Sequence, residues 1–206
     1  MNTPDLLRDT GVEPLALADA DLLLWTAVDL GDDYDSLLQQ LIDTTEWRQQ
    51  EITVYGRPCL QPRLSAWHGD LSYSYSGILL EPRPWTPILR RLRRQVECLT
   101  GQEFNSVLLN YYRDENDSMG MHSDDERELG KQPAIASLSL GETRDFVLRH
   151  RSRKDLKTVK LPLPAGSLLL MQGDTQQHWR HGINKLRRPC AARINLTFRK
   201  VLPIKR

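Results

Sequence analysis

The sequence is poor in cysteine and has no long apolar run. Its three cysteines are Cys59, Cys98 and Cys190, and no two of them form a CxxC pair. This set argues against a disulfide framework or a cysteine-rich zinc site, and it predicts reduced, ordinary thiols. No apolar run reaches the length of a membrane span, and residues 1–11 lack the basic and apolar regions of a signal peptide. We therefore expect a cytoplasmic protein that does not associate with membranes.

Basic residues are nearly absent from the first part of the chain. Residues 1–46 contain eleven acidic side chains and a single basic one, Arg8, whereas the remainder contains 27 basic and 16 acidic side chains. The net charge of +1 hides this division. A basic body is consistent with a polyanionic partner, because lysine and arginine contacts to phosphate supply most sequence-independent affinity. An ordinary solvated surface would give the same charges.

A polar segment at residues 110–126, NYYRDENDSMGMHSDDE, contains two potential metal ligands. His122 and Asp124 are two positions apart, so in a β-strand both side chains would point to one face. A third ligand is needed, and the segment QQHWRHGI offers His178 and His181. Two histidines and one carboxylate leave three coordination positions open, as a non-haem Fe(II) oxygenase requires. The residues alone do not decide between His178 and His181.

Polar and apolar residues alternate strictly in the segment ARINLTFRK near the end of the chain. Its polar positions are Arg193, Asn195, Thr197 and Arg199. The alternation predicts a strand with one polar face. Two guanidinium groups turned toward a core need an anionic partner, because an unpaired buried charge is very costly. A dicarboxylate such as 2-oxoglutarate fits, since its keto-acid end can chelate iron and its far carboxylate can bind arginine.

Short apolar segments separated by Gly, Pro and Asp turns dominate the chain from Phe104 onward. The predicted strands lie in FNSVLLNYY, IASLSLG, RDFVLRH, TVKLPLPAGSLLLMQGD and ARINLTFRKVL. Their spacing, with no helix between them, indicates a closed or double-sheet β architecture such as a jelly roll. Pro162 and Pro164 predict an edge strand or a turn at that point.

Two earlier segments have helical spacing of their apolar residues. The first is YDSLLQQLIDTTEW, for which we expect Asp35 or Ser36 near the N-cap. The second lies within residues 82–100 and should end at Gly101 as a C-cap. Its arginines give it a basic face, which is typical of a solvated surface and would also suit phosphate contact.

Four motifs together resemble those of the AlkB family of Fe(II)/2-oxoglutarate DNA-repair dioxygenases. They are NxY (Asn110, Tyr112), HxD (His122, Asp124), HG (His181, Gly182) and RxNxTFR (Arg193 to Arg199). The resemblance extends from about Val54 to Val201 and is greatest to the duplex-preferring branch of the family. It implies a mainly β (α+β) fold, in which a double-stranded β-helix (jelly-roll, cupin-like) core carries an N-terminal helical and hairpin extension.

The same resemblance implies a domain organisation. Residues 1–50 would form an acidic extension packed on the core, and residues 51–206 would form the dioxygenase domain. That domain would include a nucleotide-recognition lid at about residues 51–100. A single copy of the chain is the expected functional unit.

The resemblance also implies roles for individual residues. It selects His181 as the third ligand, because the family's ligand precedes Gly or Ser and a hydrophobic residue, so the implied iron set is His122, Asp124 and His181. The implied 2-oxoglutarate set is Asn110, Tyr112, Arg193, Asn195, Thr197 and Arg199. The implied substrate-binding set is Tyr55, Arg63, Tyr73, Tyr75, Ser76, Glu126 and Arg149.

Within the substrate-binding set, the resemblance gives four residues a specific task. Tyr55 would insert into the duplex, Tyr75 would stack on the damaged base, and Glu126 would read the exocyclic amine of that base. Arg149 would bind backbone phosphates together with the basic residues that follow it. This basic loop is shorter than in the duplex-preferring branch.

The activity implied by the resemblance is oxidative demethylation of N-alkylated bases in DNA, such as 1-methyladenine and 3-methylcytosine. Fe(II), O₂ and 2-oxoglutarate would be used, and succinate, CO₂ and formaldehyde would be released. The expected partner is alkylated DNA, duplex or single-stranded. The alternatives are a 2-oxoglutarate dioxygenase acting on alkylated RNA or another substrate, and a cupin-like binding protein without turnover. A zinc hydrolase would leave the two inward arginines without a ligand.

Overall fold

The computed structural model describes residues 11–54, 57–75 and 78–203, with the backbone alone for residues 53, 54, 73–75 and 78–80. Its helices are α1 (Tyr34–Thr44), α2 (Pro87–Thr100) and the one-turn α3 (Thr175–His178), and Arg127–Leu129 forms a 3-10 turn. The strands are β1 (Val12–Pro14), β2 (Asp21–Trp25), β3 (Glu51–Val54), β4 (Arg57–Leu60), β5 (Leu64–Gly69), β6 (Tyr73–Tyr75), β7 (Ile78–Leu80), β8 (Ser106–Tyr112), β9 (Met119–His122), β10 (Ile135–Gly141), β11 (Arg144–His150), β12 (Val159–Leu163), β13 (Leu168–Gln172), β14 (Trp179–Ile183) and β15 (Arg193–Arg199).

Two antiparallel sheets form the core. The larger has seven strands in the order β1-β2-β13-β10-β15-β8-β5, and the smaller has four in the order β12-β11-β14-β9. The predicted strands IASLSLG and RDFVLRH coincide with β10 and β11. The mainly β, double-sheet architecture predicted from the sequence is thereby confirmed. The expectation that no helix interrupts the strands was wrong at two short points, α3 and the 3-10 turn.

The alternating strands separate two apolar cores. Side chains such as Trp67, Leu108 and Phe146 fill the space between the two sheets. On the other face of the larger sheet, Leu37 of α1 and Leu92 of α2 pack into a second core. β15 runs in the middle of the larger sheet between β10 and β8, so its apolar residues enter the helix-side core and its polar residues face the smaller sheet.

The ends of the two long helices follow ordinary capping chemistry. α2 begins after Thr86, whose hydroxyl accepts the Leu89 N–H, and ends at Gly101 with φ 66°, as predicted. For α1 the predicted N-cap was wrong. The cap is Asp33, whose carboxylate accepts the Ser36 N–H at 3.0 Å.

The first strands of the chain extend the larger sheet. β2 pairs with β13, with Leu24 opposite Leu169, and β1 pairs with β2. At the other side of the fold, Pro162 lies in β12, which is an edge strand of the smaller sheet. This position confirms the edge-strand prediction, since proline lacks the N–H that an inner strand would use.

Two hairpins stand apart from the main sheets. β3 pairs with β4, with Val54 opposite Arg57, and β6 pairs with β7. The proposed duplex-inserting Tyr55 and the proposed pocket residue Ser76 lie outside the described residues. Among the residues that are described, no helix combines the length and apolar character needed to cross a membrane.

Candidate metal centre and its pocket

Three potential metal ligands meet between the two sheets. His122, the last residue of β9, lies directly opposite His181 of β14, and their ring centroids are 4.4 Å apart. Asp124 follows two residues later, with its Oδ2 3.5 Å from His181 Nε2. The potential ligand atoms of all three lie within 4.8 Å of one another. The arrangement supplies two imidazoles and one carboxylate to a single point.

Asp124 reaches this point through two contacts with distant parts of the chain. β9 ends at His122, so the strand alternation used in the sequence prediction does not extend to Asp124. Instead, Arg199 of β15 donates to Asp124 Oδ1 at 2.8 Å, and the Asp124 backbone N–H donates to Gln176 Oε1 at 2.9 Å. Gln176 is buried in α3. No motif predicts Gln176, because its contact with Asp124 depends on the packing of α3 against this loop.

The ionisation of His122 and Asp124 suits a metal. Burial, together with nearby His181, lowers the pKa of His122 to about 4. Burial alone would raise the pKa of the Asp124 carboxyl, but the Arg199 guanidinium and the two imidazoles keep that pKa well below its usual value. The His122 Nδ1 lies 2.9 Å from the Gly120 carbonyl, which fixes the proton there and directs the Nε2 lone pair to the site. Neutral imidazoles and a carboxylate are the forms that bind iron.

Gly182 explains why glycine follows the histidine in the HG motif. A Cβ atom at this position would lie 2.7 Å from the Met119 carbonyl oxygen of β9. Real Cβ contacts are not that short, so any larger residue would push β9 away from β14. Because β9 carries His122, the glycine is required for the close approach of the two imidazoles.

The other end of the pocket is basic. Arg193 is buried, and its NH2 group donates to the Ser139 hydroxyl at 3.0 Å. Its Nε and NH1 groups have no hydrogen-bond partner among the described residues. Burial lowers the pKa of Arg193 to about 10, which leaves the guanidinium charged at neutral pH. A buried cation with unmet donors requires an anionic ligand, since an orphaned charge is costly.

A second buried guanidinium supports this end of the pocket. Arg193 and Arg144 both lie over the ring of Tyr112, at 5.3 and 5.8 Å from its centroid. The NH groups of Arg144 donate to the backbone carbonyls of Asp114, Asp117 and Asn184. Arg144 is therefore engaged with two loops, whereas Arg193 retains donors for a ligand.

Most of the residues predicted for 2-oxoglutarate line the same pocket as the three potential metal ligands. Those that line it are Tyr112, Arg193, Asn195, Thr197 and Arg199. Asn110 is buried beside them on β8, directly opposite Asn195, and does not line the pocket. Phe146, Met171 and Ile183 supply apolar walls.

The residues predicted to bind substrate lie in different parts of the structure. Arg63 is buried, and its Nε donates to Asn110 Oδ1 at 2.7 Å. Glu126 is half-buried at the start of the 3-10 turn, and Arg149 is exposed on β11. The backbone places Tyr73 and Tyr75 on β6. Their side chains are not described, so their predicted roles stay predictions.

His178 belongs to a separate group outside the pocket. Its ring stacks on His150 at 5.7 Å, and His150 Nε2 lies 3.2 Å from Asp19 Oδ2. His150 Nδ1 accepts the backbone N–H groups of Ser152 and Arg153. The proton of the neutral ring therefore lies on Nε2 and is donated to Asp19, which leaves that nitrogen no lone pair for a metal. This group ties the turn before β2 to the end of β11.

Comparison with known proteins places this geometry in a family. A sequence profile of the 2OG-Fe(II) oxygenase superfamily matches residues 32–199. Over 177 residues the chain is 44% identical to mouse DNA oxidative demethylase ALKBH2, covering 82% of this chain and 74% of that protein. The chain belongs to the AlkB family of 2OG-Fe(II) oxygenases. Family membership confirms the predicted resemblance, the enzyme class and the use of Fe(II) and 2-oxoglutarate.

Two human AlkB proteins are similar to the chain to nearly the same degree. Identity is 45% over 177 residues to human alpha-ketoglutarate-dependent dioxygenase alkB homolog 3, covering 82% of this chain and 62% of that protein. Identity to human ALKBH2 is 42% over 183 residues, covering 84% of this chain and 70% of that protein. The chain thus spans about three fifths of the length of the alkB homolog 3 relative.

Solved structures show the same fold at low sequence identity. The structure of OsALKBH1 superposes with a TM-score of 0.62 at 17% identity, covering 92% of this chain and 99% of that one. A 2OG-Fe(II) oxidoreductase from Burkholderia pseudomallei gives a TM-score of 0.58 at 14% identity, covering 86% and 84%. The same overall fold is therefore common to all three chains.

Proposed function

We propose that this AlkB protein removes methyl groups from N-alkylated DNA bases such as 1-methyladenine and 3-methylcytosine, using Fe(II), O₂ and 2-oxoglutarate. One observation carries the proposal: the unmet donors of buried Arg193 line the same pocket as His122, Asp124 and His181. A dianionic cosubstrate that also chelates iron satisfies both ends of that pocket. The similarity to proteins named DNA oxidative demethylase supports DNA as the substrate class.

The three ligands would hold the iron, with His122 binding through Nε2. Bound Fe(II) with 2-oxoglutarate supplies O₂ activation and oxidation of the N-alkyl carbon. Arg199 keeps Asp124 ionised and oriented, since the two groups form a buried ion pair at 2.8 Å. The apolar side chains of Phe146 and Ile183 limit the access of water to the reacting atoms.

Arg193 would bind the far carboxylate of 2-oxoglutarate. The guanidinium is held between the Tyr112 ring and the Ser139 hydroxyl, so its two unmet NH groups are already oriented. Asn195 and Thr197 form a hydrogen-bonded wall beside it, with the Thr197 hydroxyl donating to Asn195 Oδ1 at 2.9 Å. Preorganised donors bind an anion without paying a further ordering cost.

The substrate-side roles are supported by the motif resemblance. Tyr75 would stack on the flipped base, Glu126 would accept from its exocyclic amine, and Tyr55 would fill the gap left in the duplex. Base extrusion costs a few kcal/mol, and less where methylation has already broken pairing, which supplies part of the selectivity. Alkylated RNA remains the second candidate substrate, since both nucleic acids carry the same lesions.

The test is succinate release from 2-oxoglutarate with purified protein. We expect release to require Fe(II) and to rise severalfold on addition of a DNA oligonucleotide with one 1-methyladenine. The formaldehyde formed should equal the additional succinate that depends on the lesion. The unmethylated oligonucleotide is the control, and matched single-stranded, duplex and RNA substrates rank the partners. Iron binding without any lesion-dependent succinate would instead indicate a cupin-like binding protein.

Three further features are proposals for the whole chain. We propose that the protein works in the cytoplasm as a monomer, and its free Cys59, Cys98 and Cys190 are consistent with a reducing compartment. We also propose the division into an acidic segment, residues 1–50, and a catalytic domain, residues 51–206, with the lid at about 51–100. Light scattering at working concentration tests the monomer.

A further inference from the structure

Two arginines face each other on the outer side of the smaller sheet. Arg149 of β11 and Arg180 of β14 are paired in register, and both are exposed. Directly opposite Cβ atoms in antiparallel strands are about 4.5–5.5 Å apart, and like charges at that spacing destabilise a sheet. Over residues 11–54, 57–75 and 78–203, neither guanidinium makes an ion pair or a hydrogen bond. The pair therefore destabilises the sheet, and no described residue offsets the repulsion through an ion pair or a hydrogen bond.

The neighbours of the pair do not neutralise it. Lys160 of β12 is exposed and lies opposite Val147, which is two positions from Arg149 on the same strand face. The acid on this face of β11 is Asp145, a further two positions away. Asp125 is already paired with Arg151 at 2.7 Å. The face thus carries a local excess of positive charge.

The arginine pair lies on the opposite face of the smaller sheet from the pocket. Arg180 immediately precedes the ligand His181, and successive residues of a strand point to opposite faces. The two guanidiniums therefore lie one residue from the metal centre on the other side of the sheet. They can reach a group outside the pocket and cannot contact a base inside it.

We propose that Arg149 and Arg180 together form a clamp for one backbone phosphate of the nucleic-acid strand whose base enters the pocket. This inference rests on the proposed function. Two adjacent guanidiniums match the oxygens of a phosphodiester, because each can donate a bidentate pair of hydrogen bonds. The anion also removes the like-charge repulsion, so the free energy lost in the unbound sheet is regained on binding. Arg180 was not in the predicted set, since only the strand register reveals it.

The experiment measures binding of a fluorescent single-stranded DNA carrying one 1-methyladenine, over a range of NaCl concentrations. We expect Arg149→Gln and Arg180→Gln each to weaken binding about tenfold, as for loss of a charge-assisted contact. In each single variant, the slope of log Kd against log salt concentration should decrease by about one, the value for loss of one phosphate contact. The loss of affinity in the double variant should be smaller than the two single fold-losses multiplied together, because both arginines bind the same phosphate.

A second readout separates a clamp from a structural role. We expect Arg180→Gln to keep or raise the thermal midpoint of the DNA-free protein, since it relieves the repulsion. A lowered midpoint together with weaker binding would make the residue structural and overturn the clamp. The matched control is Arg90→Gln on α2, an exposed arginine on the helix side of the larger sheet. If Arg90→Gln and Arg180→Gln weaken DNA binding equally, the change reflects net charge alone, and this outcome would also overturn the clamp.

Two further measurements show whether a negative result contradicts the clamp or the proposed function. Inorganic phosphate is compared with chloride at equal ionic strength, and specific competition by phosphate would indicate a small-anion site instead of a strand contact. Lesion-dependent succinate release by the unmodified protein is measured in parallel. Absence of that release contradicts the proposed function, whereas normal release with unchanged binding by both arginine variants contradicts the clamp alone.

Discussion

At the scale of single residues, two hydrogen bonds orient Asp124 and leave one of its carboxylate oxygens available for a metal. Its Oδ1 accepts from Arg199, and its backbone N–H donates to Gln176. Its Oδ2 has no hydrogen-bond partner in the described part of the chain and faces His181. One carboxylate oxygen is thus fixed by the protein and the other is directed to the metal position.

Replacing either downstream histidine tests which one binds iron. His181→Ala should abolish turnover and lower iron occupancy by at least tenfold, because it removes one of the three predicted ligands. His178→Ala should keep iron, because His178 stacks on His150 outside the pocket. Iron content after gel filtration and succinate release are the measurements. The opposite pattern would reverse the ligand assignment.

Gln176→Leu tests the support of Asp124 by a buried amide. We expect iron affinity to fall about 10- to 100-fold, the usual effect of removing a partner that orients a ligand. Circular dichroism should stay unchanged, since leucine is similar in volume. Gln177→Leu is the matched control, because Gln177 is exposed on the same turn. Iron affinity that is equal in the two variants would remove Gln176 from this role.

The lowered pKa of His122 predicts a pH dependence for the metal-free protein. Its pKa of about 4 in the folded chain lies below the ordinary 6.5. The stability that it contributes is therefore complete above pH 6.5 and is lost as the pH falls toward 4. The loss should reach roughly 3 kcal/mol. Urea denaturation with a chelator at several pH values measures it, and His122→Asn should flatten the curve in this range.

At the scale of elements, the approach of β9 to β14 depends on one glycine. Gly182→Ala should displace β9, weaken iron binding at least tenfold and lower the thermal midpoint by several degrees. Gly120→Ala is the control, because a Cβ there meets no atom within 4 Å. Iron titration and thermal unfolding are the measurements. A Gly182→Ala protein with normal iron affinity would show that the sheet can absorb the methyl group.

Strands with a local pattern could be predicted from the sequence, and contacts between distant elements could not. β10 and β11 appear as predicted because each is a buried apolar run bounded by turn residues. No sequence pattern predicted the pairing of β2 with β13, because the two segments are far apart in the chain. The same holds for Gln176 and for the pairing of Arg149 with Arg180.

At the scale of the whole molecule, the N-terminal strands share the core between the sheets. Leu24 of β2 is buried there beside residues from both sheets. We expect Leu24→Ala to lower the free energy of unfolding by about 2–5 kcal/mol in a single transition that includes the iron site. Leu60→Ala, at a leucine that is 55% exposed, is the control. Separate transitions would indicate that the first strands fold as an appended unit.

In the metal pocket, some residues belong to motifs of fixed spacing and others come together only in the folded chain. HxD, HG and RxNxTFR contain the three potential ligands and the arginines that meet in one pocket, because each motif keeps its residues a fixed distance apart. The motifs did not predict that Asp124 lies beyond its strand, nor that Arg63 is buried against Asn110. Those outcomes depend on the three-dimensional packing of loops, for which spacing along the chain carries no information.

Arg144 donates hydrogen bonds to three backbone carbonyls in two turns, and this restricts the lengths of those turns. One guanidinium fastens the turn at Asp114–Asp117 to the turn that begins at Asn184. An insertion in either turn would pull its carbonyl away and leave a buried cation unsatisfied. Length changes in the two turns should therefore accumulate together among homologues, or be accompanied by replacement of Arg144.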